Sequence, residues 1–548
     1  MGFSSEQGRK THFKIFREVT EEMSEKNSEK NQAAASSLNR AKMYQLVLFP
    51  FNNGATNVYY ILTSSYIAYY GGVLGLLTVF AGTMVTVMRL FDAVTDPIIG
   101  AMIDKTNGKF GKFRPFMVLG NIVMAVSSIL LYFCTQFVPT TMMPLRYVLY
   151  VLFYAVYVIG YTFQTSVTRS GQTVLTNDPK QRPMFTIFNL VASMLGMGAI
   201  QFCAPIIRAN FGDYTTQSFF NVLIPAAIVV SALLTVLGVI GIWEKDQPKY
   251  FGMGGATQEK VKVSEYIALI KANQPLQRLM VAGGGCKLAL AIATNTAVLA
   301  MLYGGMMGNY DTLYLPMMVL GYVFSAPFFY LTIRTSQKKG QAASLMRYVA
   351  VALICYVGVF ILLMLWSPDN AAFNLSLISD GKLSINLYTV LFILCFGIGY
   401  GAYYATADMP IPMVADCSDY ETYRSGKYVP GIIGTLFSLV DKLVSSLSST
   451  VVAFAAAAIG FTQALPGADD PYVPGMKTVV IVLFCVVPMI AWALTLIAMK
   501  GYSLTGERMK EIQAVNAVRR DAIANGMSKE EAMAKWVTMD QVPEEYKQ

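Results

Sequence analysis

Apolar runs of about 20 residues recur along this chain, each closed by a short polar or basic segment. That length crosses a hydrocarbon core of about 30 Å at a helical rise of about 1.5 Å per residue. Twelve runs are counted, at roughly 44–70, 74–102, 116–137, 145–175, 184–208, 219–243, 276–304, 311–333, 346–366, 387–415, 431–460 and 475–499. None has the strict alternation of a barrel strand, and only helices or closed barrels satisfy the backbone in lipid. The expected fold class is an all-α membrane protein with twelve transmembrane helices.

The pattern changes once, between the sixth and seventh runs. Residues 244–275 ("EKDQPKYFGMGGATQEKVKVSEYIALIKANQP") are polar, charged and Gly-containing. They divide the spans six and six. The predicted organisation is an N-terminal tail (1–43), an N-terminal half (44–243), a central linker (244–275), a C-terminal half (276–500) and a C-terminal tail (501–548). The segments after spans 4 and 10, "TNDPKQRP" and "ADCSDYETYRSGKYVP", occupy corresponding places. Two six-helix halves with a site between them is the plan of many secondary transporters, and the count and the split predict the major facilitator fold.

Composition sharpens this picture. Hydrophobic residues make up 55% of the 548 and charged residues 14%, with a mean hydropathy of +0.47, whereas soluble chains carry about 25% charged residues. The first 43 residues are polar and hold no apolar core of a signal peptide, so none is expected. Lys105, Lys109, Lys112 and Arg114 lie between spans 2 and 3, Lys180 and Arg182 between spans 4 and 5, and Arg334, Lys338 and Lys339 after span 8. The loops of the other side are nearly free of Lys and Arg. The positive-inside bias makes both termini cytoplasmic and the chain a multi-pass protein of the plasma (inner) membrane. The net charge of +9 largely records that bias, so no nucleic-acid partner is expected.

One histidine, in the N-terminal tail, and seven scattered cysteines supply neither a zinc site nor a disulfide framework. The chain has no GxxxxGK[ST], GxSxG or HExxH. It is therefore expected to be no enzyme, to need no cofactor and not to be ATP-driven. Asn374 opens a glycosylation sequon, a match close to chance.

The candidate chemistry lies where charge enters lipid. In "RLFDAVTDPIIGAMIDKTNGKFGKFRP", Arg89, Asp92 and Asp96 stand at i, i+3 and i+7, on one face of a helix. Each charge in mid-membrane costs at least about 2.5 kcal/mol. Two carboxylates one turn apart repel when both are ionised, and Arg89 neutralises one of them. The other needs a proton, a metal cation or a second basic side chain. Carboxylate oxygens are hard ligands, suited to Na⁺ or H⁺ rather than to soft metals. Lys442, in "LFSLVDKLVSSLSST" of span 11, is a candidate basic partner on a helix rich in small Ser residues. A static ion-pair cluster would use the same four charges, but buried ion pairs stabilise poorly compared with apolar packing, which favours a movable ligand site.

Other charges carry less. Arg169 fits a cavity-facing or a snorkelling position equally well, and Lys287 and Asp408 are expected to pair. The strips "NVYYILTSSYIAYY" and "GYGAYYATAD" offer stacking faces for a sugar ring, although interface belts also collect Tyr. After span 2, Asp104, Lys105, Lys112 and Arg114 surround a Gly-rich turn. With Asp416 and Asp419 of the corresponding loop they form a candidate conformational latch.

These residues carry a resemblance. The span 2 stretch, and "PMVADCSDYETYRSGKYVPGIIGTLFSLVDKLVSSLSS", resemble the glycoside–pentoside–hexuronide:cation symporters, the family of melibiose permease, over residues 44–513. The resemblance implies that Asp92 and Asp96 bind Na⁺, Li⁺ or H⁺ beside Lys442, with Ser438 as an added oxygen ligand. It implies that Arg89 lies near the sugar and cation sites. It also shows departures. Thr56 and Thr165 stand where melibiose-type members carry sugar-gripping aspartates, and Asn189 where they carry an arginine. That argues against a galactoside held in the melibiose manner. Asn53, Thr56, Asn57, Gln164, Thr165, Asn189 and Arg169 would make a different polar substrate site, tolerant of an anionic uronide.

The function implied is symport of a small glycoside, pentoside or hexuronide with Na⁺ or H⁺, by alternating access in a monomer surrounded by lipid. Two rival readings are a lysolipid carrier of the same fold and a non-transporting receptor or scaffold. The amphipathic stretch "GERMKEIQAVNAVRRDAIANGMSKEEAMAKW" is expected to pack on the cytoplasmic face.

Overall fold

The computed structural model describes residues 40–106, 108–176, 181–247, 269–367, 370–379, 382–407, 409–426 and 430–546. Most of the N-terminal tail, most of the central linker and Asp408 lie outside these residues, as do the side chains of Asp104, Lys105 and Arg169.

Among the described residues, eleven helices are long and apolar enough to cross a membrane, and they correspond to spans 2–12. Span 1 is assembled from pieces: α1 (Met43–Leu48), α2 (Phe51–Ile61), a π-helical turn at Leu62–Tyr66, and α3 (Ile67–Val73). The break between α1 and α2 falls at Pro50, which has no N–H to continue the ladder. Spans 2 to 6 are α4 (Thr78–Lys105), α5 (Arg114–Ile129), α6 (Met143–Leu175), α7 (Gln181–Phe211) and α8 (Gln217–Ile242).

The second half starts with α9 (Gln274–Ala293). Span 7, expected as one run, breaks here: Asn295 caps α10 (Thr296–Leu299) by accepting from the Ala297 N–H at 3.0 Å. Then come α11 (Tyr310–Lys339), α12 (Gln341–Leu365) and α13 (Leu387–Thr406). Between α12 and α13 sits a small hairpin of β1 (Ile378–Ser379) and β2 (Lys382–Leu383). Span 10 was expected to reach residue 415. It stops at Thr406, because Pro410 opens a separate helix, α14 (Pro410–Ser425). Span 11 is α15 (Pro430–Ala458), and span 12 comprises α16 (Met476–Ile481), a π-helical turn and α17 (Val487–Lys500). Two tail helices follow, α18 (Gly506–Ala524) and α19 (Lys529–Lys535).

Small residues set the spacing within and between the halves. A Cβ on Gly120 of α5 would stand 2.8 Å from the Gly160 carbonyl of α6, so only glycine permits that approach. Across the halves, α4 and α15 run antiparallel. A Cβ on Gly82 would stand 2.8 Å from the Ser449 carbonyl. The Thr86 hydroxyl donates to the Ser446 carbonyl at 2.9 Å and lies 2.8 Å from the Thr450 hydroxyl. This seam brings the lower part of α4 to the lower part of α15.

At the end remote from Arg40 and the C-terminal helices the halves meet again. Arg208, at the close of α7 and 3% exposed, pairs with Asp213 at 3.1 Å and also with Asp311 and Asp469 of the other half. Its guanidinium stands 5.2 Å from the Tyr310 ring centre. The loop between α15 and α16 lies over the first half: Tyr69 donates to the Pro466 carbonyl at 2.8 Å, and the Thr78 N–H to the Thr462 carbonyl at 2.9 Å.

On the terminus-bearing face, the tail docks on α14. Arg519 donates to the carbonyls of Tyr423 (2.7 Å) and Trp536 (2.8 Å), and Asn516 to that of Asp419 (2.9 Å). Val515, Val518, Ala532, Trp536 and Val542 form a small core beneath. Desolvation, with Asp419 nearby, pushes the Asp416 carboxyl up to about 6.

Two predictions follow from these contacts. Exposed ion pairs contribute up to about 1 kcal/mol each, so Arg208→Gln should shift the remote end toward opening by about three- to tenfold. The readout is labelling by a membrane-impermeant maleimide of a cysteine at Thr294, in a chain otherwise freed of cysteine; unchanged labelling would exclude Arg208 as a clamp. Because the Asp416 proton is held more tightly in the folded chain, that group's contribution is present below about pH 4 and is lost as pH rises towards 6. Asp416→Asn should therefore raise the melting temperature at pH 7 and leave it unchanged at pH 4.

Candidate functional site

The α4–α15 seam carries the intramembrane charges into contact. The Lys442 ammonium, from α15, lies 2.8 Å from an Asp92 carboxylate oxygen and 2.7 Å from one of Asp96. One cation of the second half thus bridges two carboxylates of the first. Asp92 is 1% exposed and Asp96 21%, so the bridge has a sealed side and an approachable side. Arg89 stands 3.7 Å from Asp92 on the neighbouring turn. Its guanidinium is held over the rings of Tyr60 and Tyr161, at 4.7 and 5.3 Å from their centres.

Thr162 of α6 completes the Asp92 environment by donating its hydroxyl to Oδ1 at 2.6 Å. Spacing along one helix could not reveal this residue, because it arrives from another span. Ser438 is half-buried one turn before Lys442; among the described residues it bonds to neither carboxylate. Among the described residues, no group of three or more His, Cys, Asp or Glu is placed to hold a metal ion. Two carboxylates and a hydroxyl are hard oxygen donors of low total charge, which fits a monovalent cation or a proton in place of the ammonium.

Above this bridge lies a cavity of about 320 Å³ between the halves, within the size range of small-molecule sites. Arg89 forms part of its wall. The rest mixes apolar residues, Met194, Met197, Met318 and Phe396 among them, with hydroxyls: Tyr60, Ser64 and Ser65 from span 1, Ser445, Ser446 and Ser449 from α15, and Tyr322, Tyr400 and Tyr404 from the second half. Gln201 of α7 and Lys287 of α9 also line it. The two Tyr strips divide their residues. Tyr60, Tyr400 and Tyr404 reach the cavity, whereas Tyr66, Tyr69 and Tyr70 pack into the core of the first half and Tyr403 lies against Trp492 and Tyr356.

Most of the polar residues expected around substrate sit elsewhere. Asn57 donates to the Asn53 carbonyl at 2.8 Å, and Thr56 donates to the same carbonyl at 2.8 Å. Gln164 is buried and bonds to Asn52 (2.9 Å) and Thr235 (2.7 Å). Thr165 donates to the Tyr161 carbonyl of its own helix at 3.0 Å, and the Asn189 Oδ1 is buried with no partner among the described residues. Of the expected substrate residues whose side chains are described, Arg89 alone lines the cavity.

The candidate latch divides in the same way. Asp246, at the end of span 6, accepts from the N–H groups of Lys112 (2.7 Å), Phe113 (3.0 Å) and Arg114 (2.9 Å) and pairs with the Arg114 side chain at 3.3 Å. An aspartate at a helix start satisfies N–H groups that have no intrahelical partner. The Arg114 guanidinium also lies 4.4 Å from the Trp243 ring centre. The structure thus gathers Arg114 to span 6 of its own half, not to Asp416 or Asp419 on α14. Asp246 lies within the segment that sequence assigns to the central linker.

Comparison with known proteins agrees with this architecture. Residues 52–506 match the family described as MFS/sugar transport protein. The chain is 24% identical to the inner membrane symporter YicJ of Escherichia coli, over 81% of this chain and 88% of that protein. It is 22% identical to the isoprimeverose transporter of Lactiplantibacillus pentosus, over 83% and 88%. Among solved structures, an inward-facing bacterial homologue of the iron transporter ferroportin shares the fold, with a TM-score of 0.53 and 11% identity over 84% of this chain and 97% of that one. These relatives are membrane transporters, not enzymes. With the match covering most of its length, the chain belongs to the MFS/sugar transport protein family and, within it, to the glycoside–pentoside–hexuronide:cation symporters.

Proposed function

We propose that the chain couples inward movement of Na⁺ or H⁺ to uptake of a small glycoside, pentoside or hexuronide across the plasma membrane, with both termini in the cytoplasm. The observation that carries this reading is the double position of Arg89, which forms cavity wall and also stands 3.7 Å from Asp92. A solute that draws on Arg89 changes the charge balance at Asp92. A cation entering beside Asp92 and Asp96 displaces Lys442 and so alters the contact between the halves. The membrane potential supplies about 2.3 kcal/mol per charge at 100 mV, enough for about fifty-fold accumulation. The hydroxyls that line the cavity beside Arg89 support a polyhydroxylated solute.

Uptake into vesicles tests the coupling. Asp92→Asn and Asp96→Asn should each abolish accumulation against a gradient while sugar exchange at equal concentrations survives; full concentrative uptake by either variant would sink the assignment. A second measurement addresses the cation. Removing one partner of a buried pair costs about 3–5 kcal/mol, so Lys442→Ala should lower the melting temperature. Added NaCl, against KCl at equal ionic strength, should restore it if Na⁺ takes the vacated place, whereas recovery only on acidification would identify H⁺. Neither recovery should occur when Asp92→Asn and Asp96→Asn are added.

A further inference from the structure

Inside the cavity, the halves touch through a neutral contact that the cation site does not use. Tyr322 of α11 donates its hydroxyl to the Gln201 Oε1 of α7 at 3.0 Å. Both side chains line the cavity. Gln201 has a second polar amide atom, and among the described residues that atom has no partner. This holds whichever way the amide is turned, because one atom meets Tyr322 and the other does not. The Tyr322 oxygen also has the Tyr404 and Tyr400 hydroxyls as polar neighbours.

The Tyr322 ring is fixed rather than loose. It stands 5.5 Å from the Tyr404 ring at 88° and 6.3 Å from Tyr400 at 77°, both edge-to-face, and 6.3 Å from Phe202, the residue after Gln201, at a 37° tilt. Edge-to-face packing of this kind holds a ring in one orientation. It presents the hydroxyl at a set place and leaves Tyr404 as an aromatic wall beside it. A donor–acceptor amide, a donor–acceptor phenol and a flat aromatic face are the groups that recognise a pyranose or furanose ring, whose hydroxyls both donate and accept.

We propose that Gln201 and Tyr322 are a substrate clasp. They bond to each other across the halves, and a sugar entering the cavity takes up both groups in place of that bond. The exchange keeps both polar groups satisfied, so it leaves no buried group unpaired, and it breaks a link between α7 and α11 only when a ligand is present to replace it. Specificity then depends on two hydroxyls of the ring being spaced to reach one side chain from each half. This rests on the cavity being the sugar site of the proposed function.

The test uses the full-length chain in proteoliposomes. Methyl β-D-xylopyranoside, methyl β-D-glucopyranoside and methyl β-D-glucuronide are first compared as competitors, and the best is replaced by its singly deoxygenated analogues. In the wild type, loss of one or two ring hydroxyls should weaken binding about tenfold. Tyr322→Phe should weaken the parent sugar about tenfold and show no further loss with the analogue lacking the hydroxyl that Tyr322 contacts. Gln201→Leu should do the same at a different ring position, and melting temperatures of both variants should stay near wild type. Losses that multiply at every position, or variants that bind the parent sugar as tightly as wild type, would overturn the clasp while leaving the sugar reading in place. Failure of all three sugars to bind the wild type would overturn both.

Discussion

The Lys442 ammonium between Asp92 and Asp96 is the contact on which the rest of the molecule depends. Its partners belong to different halves, so the same charges that would hold a cation also hold the halves together. In a low-dielectric interior such a link cannot simply open. Separating it leaves one carboxylate and an ammonium without a counter-charge, since Arg89 stays beside Asp92, at a cost of several kcal/mol. A cation or a proton that takes the place of Lys442 removes that cost. Under the proposed coupling no long-range signal is needed, because ion exchange and movement of the halves would be one event at one place.

The second ionic link between the halves is built for a different task. Arg208 is buried, but its partners across the interface, Asp311 and Asp469, are 57% and 69% exposed. Solvent can take over those carboxylates as the link opens, so it is weak in the way exposed pairs are weak. The structure thus places an inexpensive clasp at the remote end and a costly one in the middle. Under the proposed coupling, the remote link would open at little cost while the central one would change only when a charge is supplied.

How much of this was legible in the sequence follows from the range of each signal. Span length and hydropathy act over about 20 residues of one segment, so the helices and the two-half fold could be read directly. The errors were local: Asn295 and Pro410 interrupt runs that look continuous by hydropathy alone. The meeting of Lys442 with Asp92 and Asp96 could also be anticipated, because buried charges require partners and few were on offer. Thr162, Asp246 and Gln201 could not. Each is an ordinary polar residue whose partner comes from another helix, and nothing in its own neighbourhood distinguishes it.

The same reasoning explains why the expected substrate residues and the cavity wall differ. Thr56, Thr165 and Asn57 are polar residues within helices of one half, and a short hydroxyl or amide in a helix readily bonds the carbonyl three or four residues back. They do so here. Gln164 instead ties three helices of the first half together through Asn52 and Thr235. Polar residues thus committed to one half remain fixed when the halves move. A side chain that senses alternation has to reach across the interface, as Lys442, Gln201 and Tyr322 are placed to do. The site of a two-half transporter is therefore better sought among polar residues whose partners lie in the opposite half than among those merely aligned on one helical face.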